Sequence, residues 1–257
     1  VNSALASRPT DVVVQQTRVV SSLLARVAEV VAESVSEEVA SLREMGMNDT
    51  EVAAAAIAQA QMIDMSGLVD YLFRRQLVTA LAGELTSTAT GSQAGISVAV
   101  FFADLVGYTA LSQELGDSEL AHLVTRFQSL AFEVIGSGGG QVVKTLGDEV
   151  MVVCEDPGAA AEMAARLVQL CNDDEELPDL RVGLAYGPVL AIGGDYFGPT
   201  VNLASRLTGI ARPGTMLASD QLHEAVPSVD HGRWARLRVR RIKGIGWTAV
   251  WALKPSP

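Results

Sequence analysis

The sequence predicts an α+β fold, a ferredoxin-like βαββαβ unit preceded by an all-α N-terminal region. Three observations carry that expectation. From residue 96 onward, short β-branched and aromatic runs alternate with helical stripes in the order strand, helix, strand, strand, helix, strand, which is the ferredoxin-like order. Residues 1–85 hold no strand-type alternation but repeat apolar positions at helical spacing. Between the two, residues 86–95 (TSTATGSQAG) are small, polar and Gly-containing, the chemistry of a linker. The expected layout is a helical region over 1–85, a linker over 86–95 and a second domain over 96–257.

In the first block, Val20, Leu23, Leu24, Val27 and Val31 mark one helical stripe after Pro9 and Thr10. Asn48, Asp49, Thr50 and Glu51 form a helix start ahead of alanine-rich 52–61, with acidic residues suited to a first turn. Ser66 and Gly67 are expected to interrupt the helix, and Leu68, Leu72, Leu77, Leu81 and Leu85 then continue along one side. A block this apolar is expected to pack on something, a second copy of itself included.

The second domain opens with a strand over 96–103 that stops at Asp104, with Gly107 and a helix start behind it. Asp117 reads as the N-cap of a helix whose inner face is Leu120, Val124, Phe127, Ala131 and Val134. Residues 141–146 and 150–154 read as strands joined by a tight turn at Gly147 and Asp148. Asp156 and Pro157 cap and open the next helix, which buries Ala160, Met163, Ala164 and Leu167. The acidic run at 173–176 is a solvated loop, and 180–186 is a strand ending at Gly187 and Pro188. A helix over 199–208, a strand over 215–218, a short helix over 219–225 and two closing strands, 233–241 and 247–253, complete the chain.

Composition narrows the function classes. A formal charge of −11 over 257 residues argues against a nucleic-acid partner. The sequence has no apolar run approaching the ~18 residues of a membrane helix and no basic-then-apolar leader, so neither a transmembrane helix nor a signal peptide is expected. Cys154 and Cys171 lie in apolar settings without metal-type spacing and read as reduced core thiols of a cytoplasmic protein.

Two residues carry candidate chemistry from their placement alone. Asp104 ends one strand and Asp148 sits at the tip of a strand pair beside it. Two converging carboxylates repel unless a cation lies between them, and a hard divalent ion bound by oxygens fits that need. The alternative is that Asp104 caps the following helix and Asp148 serves its turn.

Three runs then carry a family resemblance. FFADLVGYT at 101–109, KTLGD at 144–148 and DYFGPTVNLASR at 195–206 resemble the catalytic domain of class III nucleotidyl cyclases, over about 96–253. The first run resembles that family's first metal motif and the second its lysine and second metal aspartate. The third resembles its purine-selecting aspartate followed, at spacings of seven and four, by the transition-state Asn and Arg. The resemblance implies an adenylyl cyclase that converts ATP to cyclic AMP and pyrophosphate. It implies two Mg²⁺ or Mn²⁺ ions on Asp104 and Asp148, to which the backbone carbonyl of Leu105 adds a ligand. Lys144 and Asp195 become the readers of the adenine edge, and Asn202 and Arg206 orient the ribose and stabilise charge on the α-phosphate. Lys243 resembles the lysine for the terminal phosphates, while Arg233, Arg236, Arg238, Arg240 and Arg241 around it suit an exposed face that balances an acidic protein.

The same resemblance implies a head-to-tail homodimer whose sites are completed across the subunit interface. A guanylyl cyclase, which carries other residues at the places of Lys144 and Asp195, and a cyclase fold used only as a regulatory dimerisation module are the competing readings. Only seven residues separate Gly187 from Asp195, so the arm that carries a phosphate-binding arginine in mammalian-type members is absent. That places the chain with the short-arm bacterial branch. Residues 1–85 are similar to the end of the helical regulatory region that precedes cyclase domains of the acid-activated actinobacterial type, although His122, His223 and His231 all lie outside that block.

Overall fold

In the computed structural model, residues 96–255 are described apart from 193 and 231, as are 46–62 and isolated positions between 20 and 77. The chain divides into two compact units, Val1–Gly91 and Ser92–Pro257. In the first unit, helix α1 (Asp49–Met62) begins where the start signal places it. Asn48 Oδ1 accepts from the Thr50 and Glu51 N–H groups, both at 3.1 Å, and Glu51 Oε2 accepts from the Asn48 N–H at 3.0 Å. This reciprocal exchange satisfies otherwise orphaned amides. Val20, Leu24, Val27 and Leu77 are helical, and so is Gly67, which does not interrupt as expected. Leu23, Val31, Ser66, Leu68, Leu72, Leu81, Leu85 and the 86–95 linker lie outside the described residues.

The second unit is built on a seven-stranded sheet. Its elements are β1 (Ser97–Leu105), α2 (Tyr108–Glu114), α3 (Asp117–Ser137), β2 (Gln141–Leu146), β3 (Glu149–Cys154), α4 (Pro157–Asp173) and β4 (Leu180–Pro188). They continue through β5 (Leu190–Ile192), β6 (Asp195–Phe197), α5 (Pro199–Ile210), β7 (Thr215–Ser219), α6 (Asp220–Ala225), β8 (Gly232–Arg236), β9 (Arg240–Ile242), β10 (Gly246–Thr248) and β11 (Val250–Pro255). The main sheet runs β2-β3-β1-β4-β7-β11-β8; its first four strands are the ferredoxin-like core, antiparallel to one another, and β4 then pairs with β7 in parallel. Strand β1 lies in the middle and is buried along nearly its whole length. Its alternate residues face two cores: Ala99, Phe101, Ala103 and Leu105 pack towards α3 and α4, and Val98, Val100 and Phe102 towards α5. A strand covered on both faces must read as a continuous apolar run, which is why residues 98–103 do.

Three boundaries differ from expectation. The cap of α3 is Gly116, one residue before Asp117, because the Gly116 N–H donates to Glu119 Oε2 at 3.1 Å. Asp117 falls in the first turn, where its charge still suits the helix dipole. Two long closing strands are not formed. The 3-residue strands β9 and β10 fold on each other as a separate hairpin, with Gly244 and Gly246 at φ 79° and 102°, and only β8 and β11 join the main sheet. Finally, the stretch between β4 and α5, to which the sequence assigned no element, forms the hairpin β5–β6. On the inner face of α3 Leu123 is buried where Leu120 is expected, because the helix turns Leu123, Phe127, Ala131 and Val134 to the sheet; elsewhere the main signals hold. Asp156 Oδ1 accepts from the Gly158 N–H at 2.8 Å to cap α4, and Cys154 and Cys171 are buried and free. Burial pushes both thiols up, Cys171 to about 12.

One close approach sets the position of α5. A Cβ at Gly183 would lie 2.1 Å from the Thr208 N and 2.3 Å from the Ala204 O, so glycine lets the helix backbone rest on β4. Thr208 Oγ1 then donates to the carbonyls of Phe102 at 3.2 Å and Ala204 at 3.1 Å, pinning the helix across β1 and β4. At its other end Thr200 Oγ1 donates to the Pro188 carbonyl at 2.7 Å.

Candidate functional site

The alternation of β1 puts Asp104 on the α5 face of the sheet, with Val98, Val100 and Phe102. It is the eighth of nine strand residues rather than the residue after the strand, and it pairs in register with Glu149 of β3 and Arg181 of β4. Capping of the next helix is not its role: the N-cap of α2 is Gly107, at φ 78°, with no side-chain cap. Its carboxylate meets Arg181 instead. Both Arg181 Nε and Nη2 approach Asp104 Oδ2, at 2.6 and 2.5 Å.

Asp148 arrives through the turn between β2 and β3, which Gly147 allows by taking φ 63°. The turn is held from two sides. The Leu105 N–H donates to the Asp148 carbonyl at 3.3 Å, and Gln128 Nε2 of α3 donates to the Gly147 carbonyl at 3.2 Å. The Asp148 carboxyl is pushed up to about 6, first by burial and then by the charge of and a hydrogen bond with Asp104, which Arg181 only partly offsets. Burial, with the charges of Asp104 and Asp148, raises Glu149 as well. Adjacent carboxylates that resist joint ionisation, with oxygen donors only, fit a hard divalent cation. Among the described residues no third His, Cys, Asp or Glu completes a cluster, so backbone carbonyls, water or phosphate oxygens would fill the remaining positions.

Lys144 and Asp195 do come together. Lys144 Nζ lies 2.6 Å from Asp195 Oδ2, both side chains about one-third exposed. Burial opposes ionisation of Asp195, but hydrogen bonds from Lys144 and from the Tyr196 N–H, at 2.8 Å, outweigh it and hold the carboxyl below its usual range. The β5–β6 hairpin delivers Asp195, with Ile192 paired to Asp195 at its tip and Gly194 at φ 84°.

Asn202 and Arg206 lie one turn apart on α5, both exposed, and neither has a side-chain partner among the described residues. Asn202 lines an open cleft of about 500 Å³ with Tyr186, Thr200, Gln221, Gly244 and Thr248. Lys243 is exposed in the β9–β10 turn beside that cleft, and Arg233, Arg236, Arg238 and Arg241 are exposed as expected. Neither Asp104 nor Asp148 lines the cleft. The start of α5 sits where Ser97 pairs with Pro188, whereas Asp104 is seven residues further along β1. At the rise of a strand that is roughly 20 Å. One chain therefore holds its carboxylate pair and Asn202 at opposite ends of one strand. Arg181 and Gln128 were not singled out from the sequence: each is a lone polar residue in an otherwise ordinary strand or helix pattern.

The strand order and the helix crossing β1 and β4 define an α+β fold of the cyclase type. Residues 91–246 match the family described as the adenylate and guanylate cyclase catalytic domain, and the chain belongs to that family. It is 38% identical over 211 residues to an adenylate cyclase of Streptomyces coelicolor, covering 82% of this chain and 55% of that one. A pH-sensitive adenylate cyclase of Mycobacterium tuberculosis is 41% identical over 151 residues, 58% of this chain and 38% of that protein. The chain thus spans about half the length, or less, of these curated relatives. The crystal structure of an adenylate/guanylate cyclase/hydrolase from Silicibacter pomeroyi matches with a TM-score of 0.56 at 28% identity, over 62% of this chain and 97% of that one. No helix among the described residues is long and apolar enough to cross a membrane.

Proposed function

We propose that the chain is an adenylyl cyclase that converts ATP to 3′,5′-cyclic AMP and pyrophosphate. The observation that carries this is the contact of Lys144 Nζ and Asp195 Oδ2 at 2.6 Å on the family-matched domain. It presents an ammonium donor and a carboxylate acceptor side by side. Adenine offers a ring-nitrogen acceptor next to an exocyclic amine donor, which this pair complements once a base enters. Asn202 holds the ribose, and Arg206 meets the charge that builds on the α-phosphate as the 3′-oxygen attacks phosphorus and pyrophosphate leaves. Lys243 binds the terminal phosphates. Two Mg²⁺ or Mn²⁺ ions, held by Asp104, Asp148 and the Leu105 carbonyl, would make the 3′-hydroxyl more acidic and neutralise the triphosphate.

The working unit in this proposal is a head-to-tail homodimer with two shared sites. The roughly 20 Å between Asp104 and the start of α5 supports it, since Asn202 near that start cannot hold a ribose whose 3′-oxygen lies at the Asp104–Asp148 pair of the same chain. Exposed Leu190, Ile192, Phe197 and Leu146, 48–58% accessible and placed beside Asp195 and Asp148, support a covering copy. Residues 1–85, joined through 86–95, regulate the catalytic part by changing the dimer arrangement; removing 1–88 is expected to alter rate or pH profile. The decisive experiment measures product formation from ATP and from GTP by the full chain with Mn²⁺. Cyclic AMP as the dominant product is expected. Equal or better turnover of GTP would refute the adenine assignment, and no turnover of either would favour a regulatory module.

A further inference from the structure

Arg181 occupies the place where a cation on Asp104 belongs. Sheet register sets it there: Arg181 of β4 pairs directly with Asp104 of β1, and both side chains lie on the α5 face. Two nitrogens of the guanidinium converge on one carboxylate oxygen, Oδ2, at 2.6 and 2.5 Å. Asp104 is only 13% exposed, so Oδ2 has few other partners, whereas Arg181 is 35% exposed and its head can swing towards solvent. Around it stand three carboxylates, Asp104, Asp148 and Glu149; Arg181 offsets the charge of Asp148 and Glu149 as well, and Lys144 adds to its effect at Glu149.

We propose that Arg181 is an internal counterion which occupies Asp104 in the empty site and makes cation binding conditional on nucleotide. The inference rests on the cyclase reading above. A divalent ion arriving alone must displace a charge-assisted, doubly donated contact, and the displaced guanidinium then faces a cation across the same carboxylates. An ion arriving with a triphosphate brings anionic oxygens that give the guanidinium a new partner of matching geometry. Cation and nucleotide therefore bind with positive coupling, and the coupling is reciprocal. The device keeps the empty site neutralised and spares it from filling with stray cations between turnovers.

The test reads metal binding, not activity. Free Mn²⁺ is counted by electron paramagnetic resonance in titrations of the full chain, with and without the non-cyclisable α,β-methylene analogue of ATP. Wild type, Arg181→Met, Arg181→Gln and Asp104→Asn are compared, each first checked by thermal melting. Wild type is expected to bind Mn²⁺ weakly alone and about tenfold or more tightly with the analogue. Arg181→Met, or Arg181→Gln if the first does not fold, is expected to bind Mn²⁺ alone about tenfold more tightly than wild type and to gain little from the analogue. If neither arginine variant binds Mn²⁺ more tightly than wild type while Asp104→Asn abolishes binding, the counterion role is overturned and the cyclase reading stands. If Asp104→Asn leaves Mn²⁺ binding unchanged, the metal assignment itself falls.

Discussion

Lys144 and Asp195 lie 51 residues apart in the chain and meet at 2.6 Å between Nζ and Oδ2. One comes from the edge strand β2 and the other from the β5–β6 hairpin. Among the described residues neither caps a helix or joins another ion pair, so the two form a matched donor and acceptor that a base can enter.

If the pair reads adenine as a unit, its two halves are not independent. Lys144→Ala and Asp195→Ala are each expected to lower kcat/KM for ATP by about 10- to 100-fold, and the double variant by much less than the product. Each single variant should also narrow the preference for ATP over GTP. Additive losses with unchanged nucleotide preference would remove the pair from base recognition.

The separation of the carboxylate pair from Asn202 predicts complementation. Asp104→Asn and Asn202→Ala homodimers each lack one half of every site. After verified subunit exchange, the mixed dimer holds one intact site and one doubly damaged site, so activity is expected to rise well above either parent. Exchange without recovery would place the whole site within one chain.

The Asp148 carboxyl sits at about 6, above its ordinary 3.8. Its folded value is raised, so the fold binds a proton that the unfolded chain has released, and the associated stability is present at low pH. Without metal, that contribution is lost as pH rises from about 4 through about 6, and thermal melts across this window should show the decline. A cation must displace the same proton. Apparent Mn²⁺ affinity is therefore expected to rise by about tenfold per pH unit below 6 and to level off above it. Asp148→Asn should flatten both curves, and a wild-type affinity independent of pH between 4.5 and 6 would contradict this account.

Gly183 tests how the sheet places the helix. Alanine there would bring Cβ to 2.1 Å from backbone N of Thr208, which no rotamer change can relieve. Gly183→Ala is expected to cost about 1–3 kcal/mol or more of stability and to depress turnover beyond that loss by displacing Asn202 and Arg206. Denaturant melts and kcat on the folded fraction measure the two effects separately. Unchanged stability would mean that α5 does not rest on β4 as described.

By itself, the sequence determined what is local. Alternation and helical stripes placed β1, the β2–β3 pair, α4 and β4, because burial period and turn chemistry act over a few residues. The Asn48–Glu51 and Asp156 caps were legible for the same reason, each being a side chain that serves amides two or three residues away. Family spacing marked Asp104, Lys144, Asp148, Asp195, Asn202 and Arg206 as residues that belong to one chemistry.

Only the tertiary structure decided which of them meet. Sheet register turned Arg181, one arginine in an apolar strand, into the partner of Asp104, and neither chain position carries that information without the other. Tyr186, Gln221 and Thr248, from three different elements, form the cleft around Asn202 only once β4, α6 and the β9–β10 hairpin are packed. Lys144 and Asp195, 51 residues apart, meet only once the β5–β6 hairpin is seated beside β2, and no local preference of either residue records that contact. Local preferences are set by a residue and its near neighbours, whereas register and close approach, as at Gly183 and Thr208, are settled by atoms that the chain brings together only on folding.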